Sequence, residues 1–420
     1  MNYKLKDNAL LTIQLFFLFV VYFVPTILPV KKALLVTLCV LAICTAVYLR
    51  KYKRNSFTEL YILTLIPSFF SGMVSSAYST DISLPIIALS YICLQVFGVK
   101  AYFSFTRQQH HLDLVVKTII YFSLILALML LFEAFFYSIY YHVFHITSLN
   151  PDTAVHFLEQ GVDSKYGVTE LGAVKYSRPF GPFRYPLLAG YALLLGSLFQ
   201  LQHFLINPNL KKLAMLVILV FSLLIISKSS FLGFLIGAIW LILRARYISL
   251  SLKRFFLLSM FFVSGPVLYF VIISPIITGE GIGSFLIRFN ILLFSINVFF
   301  DQPLSTIIFG HGLGFTWYGN EEFTRLYYDA TADYGMYINT LIQGGLISIA
   351  LVMLMIFKVV FRPIPKVYEK NTVLVEASYS FLVATFVVWV GLSNYDIIFW
   401  MFIAVGIAET VKRINNRGYR

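Results

Sequence analysis

Apolar segments long enough to cross a lipid bilayer follow one another along almost the whole of this 420-residue chain. A membrane-spanning helix needs about 20 largely apolar residues. Hydrophobic residues make up 59% of the sequence and charged residues only 12%, more apolar surface than a soluble domain of this size can bury. About twelve spans are predicted: 9–30, 33–49, 58–75, 83–105, 117–143, 186–206, 213–228, 229–246, 255–276, 334–361, 372–395 and 396–411. We therefore predict an all-α, polytopic integral membrane protein, with residues 1–420 forming a single domain.

The charges between the spans indicate an orientation. With both termini in the cytoplasm, most of the 32 Lys and Arg residues fall on the cytoplasmic side, as the positive-inside rule requires. The largest clusters are 50–54, 244–254, 362–370 and 412–420. The net charge of +13 then reflects membrane topology, and nucleic acid is not an expected partner.

Two long polar stretches, at about 144–185 and 277–333, interrupt the apolar pattern, and both fall on the exoplasmic side. The first contains Arg178 and Arg184 in the segment RPFGPFRYP, and the second contains Arg288. Guanidinium groups bind phosphate oxygens through two parallel hydrogen bonds. Arginines retained on a face that is otherwise poor in cations therefore indicate an anionic substrate. The alternative is that these side chains only reach lipid phosphates at the membrane surface.

The second loop carries further polar positions. Residues 284–300 are apolar but interrupted, and Ser284, Arg288 and Ser295 share one helical face. This pattern favours a helix that lies along the interface or caps a cavity. The glycines of the GHGLG segment at 310–314 let backbone N–H groups approach a ligand closely, although a tight turn without a ligand would be favoured if the segment stood alone. Asp333 stands at the mouth of the span 334–361.

The order of these residues resembles the O-antigen polymerase and ligase superfamily. The first loop is similar in its R-x-x-G-x-F-x-x-P-x-x-A order, which runs from Arg178 to Ala189. The second loop is similar in the order of Arg288, the D-x-P segment 301–303, the glycine turn 310–314 and the Y-x-N-x-L-x-x-x-G run 337–345. The resemblance implies a C-type, membrane-embedded glycosyltransferase fold in the bacterial inner membrane, acting on the exoplasmic side. The implied substrate is a glycan linked to undecaprenyl diphosphate.

The resemblance also implies roles for single residues. Arg288 would be catalytic and would act with Arg178 and Arg184 on the diphosphate, and Lys228 would add a positive charge in the position where the family tends to have arginine. His311 and Gly312 would bind phosphate or sugar. Asp333 would orient or deprotonate the acceptor hydroxyl, or else cap the following helix. We expect no metal and no cofactor, since a diphosphate is already a good leaving group.

Three activities compete at this point. Ligases of the superfamily carry a His-Asn pair at the end of the second loop, whereas this chain has Asp333-Tyr334, so we predict a polymerase of O-antigen, capsule or exopolysaccharide. The alternative within the same chemistry is a ligase that passes the glycan to another acceptor. A lipid-linked sugar flippase or transporter is the alternative of another class, and the sequence shows neither paired halves nor symmetrically broken helices. Candidate partners are membrane lipid, a chain-length regulator and a separate flippase.

Overall fold

The computed structural model describes a large part of the chain. These residues are 109–136, 168–171, 174–177, 186–245, 249–251, 293–313, 335–362, 370–388 and 397–418, with single positions between 61 and 103 and at 253, 254, 258 and 315. The helices are α1 Gln109–Phe135, α2 Pro186–Ile206, α3 Leu210–Ile226, α4 Lys228–Arg244, α5 Leu304–Phe309, α6 Met336–Val360, α7 Lys370–Val388 and α8 Ile397–Gly418. Residues 293–300 are also helical.

Three of the helices are long and apolar enough to cross a membrane: His110–Phe135, Ala189–Ile206 and Met336–Val360. Two shorter apolar helices cover Ser229–Arg244 and Val373–Val388. One face of α1 exposes large apolar side chains at Tyr121, Ile125, Leu128, Phe132 and Phe135. Such a stripe is costly in water and stable against lipid. The predicted membrane-spanning helical class is thus confirmed at this level, while the number of twelve spans stays a prediction.

Helix α2 is the centre of the bundle and contacts α1, α3, α4, α7 and α8. All its residues from 189 to 202 are buried. Small residues allow this close packing: Ser123 of α1 donates a hydrogen bond of 2.8 Å to the Ala192 carbonyl oxygen, and a Cβ built on Gly196 would lie 2.3 Å from Ser123 Oγ. Small residues and hydroxyls are the usual means of packing helices within a membrane.

Helices α2, α4 and α6 begin at one end of the bundle, which we call the amino end. Gly190 in the first turn of α2 lies against Ser230 in the first turn of α4. Further along α4, Gly233 packs against Ala384 and Val388 in the last turns of α7. The Tyr337 hydroxyl at the start of α6 donates a 2.7 Å hydrogen bond to the Phe386 carbonyl of α7. These contacts bring the three helix starts to the same end.

The opposite end, where α2, α4 and α6 finish, is the carboxyl end. Here the Arg244 Nε donates a 2.8 Å hydrogen bond to Glu376 Oε2 of α7, and its Nη1 donates to the Arg362 carbonyl. Arg362 Nη1 lies 3.5 Å from the other oxygen of Glu376. One buried carboxylate therefore joins the ends of α4 and α6 to the first turns of α7.

Several boundaries differ from the predicted spans. Helix α1 begins at Gln109, before the predicted residue 117, because its first turns are polar but compatible with a helix. Helix α8 continues past the predicted residue 411 to Gly418, because its last turns are also polar but compatible with a helix. The predicted break between 227 and 230 is confirmed, since Ser227 is both the C-cap of α3 and the N-cap of α4.

The first polar loop contains secondary structure that hydropathy does not predict. Strand β1 (Val168–Leu171) pairs with β2 (Val174–Ser177) as an antiparallel hairpin, with Thr169 opposite Tyr176. Strand β2 contacts α1. The described residues are thus helical apart from this hairpin and the connecting turns, in agreement with the predicted all-α class.

Candidate functional site

The first turns of α2 and α4 meet through very small residues. A Cβ built on Gly190 would lie 2.5 Å from Ser230 Oγ and 3.8 Å from the Ser227 Cβ atom. Ser227 caps α4, because its Oγ accepts a hydrogen bond from the Ser230 N–H. The Ser230 hydroxyl itself is fully buried and has no hydrogen-bond partner among the described residues. Two helix N-termini and an unsatisfied hydroxyl therefore share one junction.

The predicted phosphate-binding cations are joined to this junction by the chain. Lys228 is the first residue of α4. Arg178 and Arg184 lie outside the described residues, but Arg184 precedes Pro186, the first residue of α2, by only two positions.

The start of α6 carries the position of the predicted carboxylate. Asp333 lies outside the described residues, two positions before Gly335, the N-cap of α6. The cap makes no side-chain hydrogen bond of its own. Since Tyr337 is bonded to Phe386 of α7, the start of α6 lies at the amino end, the same end as the start of α4.

The helical segment 293–300 leads from the predicted position of Arg288 to α6. Its Ser295 and Phe299 are fully buried, while Phe294 and Phe300 are 44% and 50% exposed. The buried face packs on the early part of α6, in a cluster with Ile338, Leu341 and Ile342. Arg288 lies outside the described residues. The face on which the sequence pattern places it together with Ser295 is the buried one.

The glycine turn docks onto a break in α6. Gly345 interrupts α6 with φ 64° and ψ −164°, a conformation that only glycine adopts readily. The N–H groups of His311 and Gly312 donate to the carbonyls of Ile342 and Gln343, at 2.8 and 2.9 Å. A helix broken in this way leaves carbonyls that need new donors, and the turn supplies two.

This geometry bears on the predicted role of the glycine turn. Two of its amides are bonded to α6, so for those amides the interpretation as a structural turn is favoured over ligand binding. Gly310 and Gly345 approach each other so closely that a Cβ on either would lie 2.3 Å from backbone of the other segment. The turn therefore holds the second loop in a fixed position against α6, and binding by Gly312 stays a prediction.

The His311 ring lies beside the same turn. It stacks on Phe315 with ring centroids 4.3 Å apart and an interplanar angle of 8°. Burial lowers the pKa of His311 from 6.5 to about 4, because a charged imidazolium is poorly solvated there. A neutral imidazole at pH 7 has one donor and one acceptor nitrogen, which suits contact with sugar hydroxyls better than charge pairing with phosphate.

No protein-family model, curated protein or solved structure matches this chain. A functional assignment therefore depends on the sequence motifs and on the geometry of the amino end. Sequence reasoning identified the residues that flank the helix starts, but it did not identify Gly190 or Ser230. The Gly-Ser contact is not visible in the sequence, because the two residues are 40 positions apart.

Proposed function

We propose that the protein polymerises glycan repeat units linked to a polyprenyl diphosphate on the outer face of the bacterial inner membrane. A hydroxyl of a new repeat unit attacks the anomeric carbon of the growing chain. The bond between that carbon and the diphosphate oxygen breaks, and the electron pair leaves with the lipid diphosphate. The proton of the attacking hydroxyl passes to Asp333 or to water.

The observation that carries this proposal is the gathering of the starts of α2, α4 and α6 at the amino end. Each helix start is preceded or opened by a residue with a predicted role: Arg184, Lys228 and Asp333. Helix N-termini carry partial positive charge and free N–H groups, which favour a phosphate ligand. Three of them at one end, together with arginines, supply the positive field that a leaving diphosphate requires.

The segment 293–300 supports the same location for Arg288. The sequence pattern predicts that Arg288 shares a helical face with Ser295, and the segment that contains Ser295 packs on α6 through Phe299. Preorganised donors in a site with little water stabilise developing charge strongly, and loss of one important donor costs about 3 kcal/mol of transition-state stabilisation. Arg288 is therefore the first residue to test.

The direct test uses purified protein and a synthetic lipid-diphosphate repeat unit. The expected products are a ladder of glycans and released lipid diphosphate, separated by gel and by thin-layer chromatography. Arg288→Ala should insert into the membrane normally and leave only single units. Arg325→Ala, which removes another arginine from the same loop, is the matched control and should keep the ladder. A full ladder from Arg288→Ala would remove that residue from the mechanism.

A second candidate is a flippase for the same lipid-linked substrate, and the break in α6 favours it. Transporters commonly use interrupted helices whose freed backbone groups line a substrate site, and hydropathy does not reveal the break at Gly345. In α6, however, the carbonyls of Ile342 and Gln343 are already bonded to the glycine turn. We therefore rank the flippase as the second candidate.

Liposomes separate the two candidates. Protein reconstituted with a fluorescent lipid-diphosphate sugar should move label between leaflets only if it is a flippase, and a quencher added outside reports that movement. Polymerase activity predicts instead longer glycans with no gain in movement. Movement of the labelled lipid between leaflets at the rate expected of a carrier, without growth of the glycan, would contradict the proposed polymerase and indicate a transporter.

A further inference from the structure

The carboxyl end of the bundle holds an excess of cations around one aromatic ring. Arg362 Cζ lies 4.1 Å from the Tyr379 ring centroid and Lys412 Nζ lies 5.8 Å from it. Arg244 lies over Trp240 nearby, at 4.6 Å. Glu376 is the carboxylate that pairs with this group among the described residues. Three cations and one paired carboxylate leave a positive local charge.

The three cations differ in the hydrogen bonds and ion pairs that they make. Arg244 makes a 2.8 Å hydrogen bond to Glu376, a second one to the Arg362 carbonyl, and a contact with Trp240. Arg362 has only the longer 3.5 Å ion pair with Glu376, and its Nη1 makes no hydrogen bond among the described residues. Lys412 is exposed. Arg362 and Lys412 are therefore the two cations whose charge is available to a ligand.

Tyr379 brings the two cations to one ring, with Arg362 Cζ 4.1 Å and Lys412 Nζ 5.8 Å from its centroid. Cationic side chains that share one ring can donate charge-assisted hydrogen bonds to the same phosphate group. The cations also stabilise each other's placement through the Tyr379 ring.

The surface beside Arg362 is apolar and indicates which kind of phosphate compound binds. Phe357 and Phe361 precede it on α6 and are 57% and 69% exposed, and their rings lie 4.5 Å apart. A free phosphate ion would gain nothing from these rings, whereas acyl chains would cover them. Basic pockets between membrane helices bind acidic lipid headgroups for the same reason.

We propose that Arg362 and Lys412, held around Tyr379, bind the phosphate of an anionic phospholipid whose acyl chains lie on Phe357 and Phe361. This site is at the far end of α4 from the Gly190–Ser230 junction. The 14 residues from Ser230 to Arg244 correspond to about 21 Å along the helix axis. The lipid is thus a resident of the bundle and not the glycan substrate, and the proposal stands whether or not the proposed function is correct.

The test titrates the purified full-length protein with phosphatidylglycerol or phosphatidylcholine and counts retained lipids by native mass spectrometry. We expect phosphatidylglycerol to be retained preferentially. Lys412→Gln should raise its dissociation constant about fivefold, the effect of one basic residue near an anionic headgroup, and Arg362→Gln should raise it further. Lys211→Gln is the matched control, because it removes an exposed lysine from the same end of the bundle.

Three results would overturn the proposal. Equal retention by Lys412→Gln and Lys211→Gln would show that general surface charge attracts the lipid, and Lys412 is exposed enough for its variant to fold. A third arm adds inorganic phosphate alone, and displacement of the lipid at millimolar phosphate would assign the site to a free anion. Retention of both lipids to the same extent would likewise exclude a site for an anionic headgroup.

Discussion

The carboxyl and amino ends of the bundle differ in what holds the helices together. At the carboxyl end, Arg244 and Arg362 are joined by the buried carboxylate of Glu376. At the amino end, α2 and α4 meet through Gly190 and Ser230, with a hydroxyl that has no hydrogen-bond partner among the described residues. Charges that are already paired stabilise structure, whereas helix starts and unsatisfied polar groups are free to stabilise a ligand. The comparison favours a structural role for the Arg244–Glu376–Arg362 contact, and it supports the proposed functional role of the Gly190–Ser230 junction.

The largest effect is expected from breaking the ion pair at the carboxyl end. Glu376→Gln leaves the buried guanidinium of Arg244 and the partly buried one of Arg362 without a counter-charge and should reduce the free energy of unfolding by about 3–5 kcal/mol. Unfolding in detergent micelles, followed by circular dichroism during SDS titration, measures this loss. Activity per folded molecule should not change, since the amino end is remote.

An apolar replacement provides the control. The triple variant Arg244→Met, Arg362→Met and Glu376→Leu removes the charges together, and buried ion pairs exchanged for packed apolar side chains often keep or gain stability. We expect it to recover most of the loss. A change of less than 1 kcal/mol for Glu376→Gln would contradict the structural role of this end.

The next effect concerns the attachment of the second loop to α6. Gly345→Ala places a Cβ 2.3 Å from the Ile308 carbonyl and forces an L-residue to adopt φ 64°, which together should cost about 2–4 kcal/mol. Because the glycine turn would be displaced from α6, we also expect reduced chain growth in the polymer assay. Leu346→Ala, at the exposed neighbouring residue, should change both quantities little. Unchanged activity in Gly345→Ala would separate the turn from the site.

A matched pair of variants in α2 tests whether the amino end is special. Gly190→Ala brings a methyl group to 2.5 Å from Ser230 Oγ, and Gly196→Ala brings one to 2.3 Å from Ser123 Oγ. Each substitution should reduce the free energy of unfolding by about 1–2 kcal/mol. Only Gly190 lies at the junction of helix starts. We expect activity per folded molecule to fall in Gly190→Ala and to persist in Gly196→Ala. Equal activities would remove the junction from the functional site.

The sequence predicted the features that depend on local pattern and missed those that depend on distant pairs. Pro186 begins α2 and Ser227 separates α3 from α4, as predicted, because proline in a first turn and a polar break are local signals. The pairing of Arg244 with Glu376 joins residues 132 positions apart, and no local pattern indicates it. Gly345 belongs to the motif at 337–345, but the spacing of residues in the sequence does not identify Ile308 as the residue that it contacts.

The candidate site shows the same limit. Lys228 is the first residue of α4, whereas the predicted span 213–228 ended at it. Asp333 lies outside the described residues, and its role stays a prediction. The hydrogen bonds from His311 and Gly312 to α6 could not be predicted, since they depend on a break that hydropathy does not register. Residue types therefore indicate the chemistry of a site, and tertiary contacts determine which backbone N–H and carbonyl groups remain available for it.

The last effect is a pH dependence that belongs to the glycine turn. The pKa of His311 is lowered from 6.5 to about 4 by burial, so the unfolded chain binds more protons than the folded one between these values. Stability is therefore fully present above pH 6.5 and is lost as the pH falls towards 4, by at most about 3 kcal/mol. Unfolding midpoints measured from pH 7 to pH 4 should show this fall, and His311→Phe should flatten it. An equally steep fall of the unfolding midpoint in that variant would show that a group other than His311 titrates. The glycine turn would then act on the amino end only through the position in which it holds the second loop.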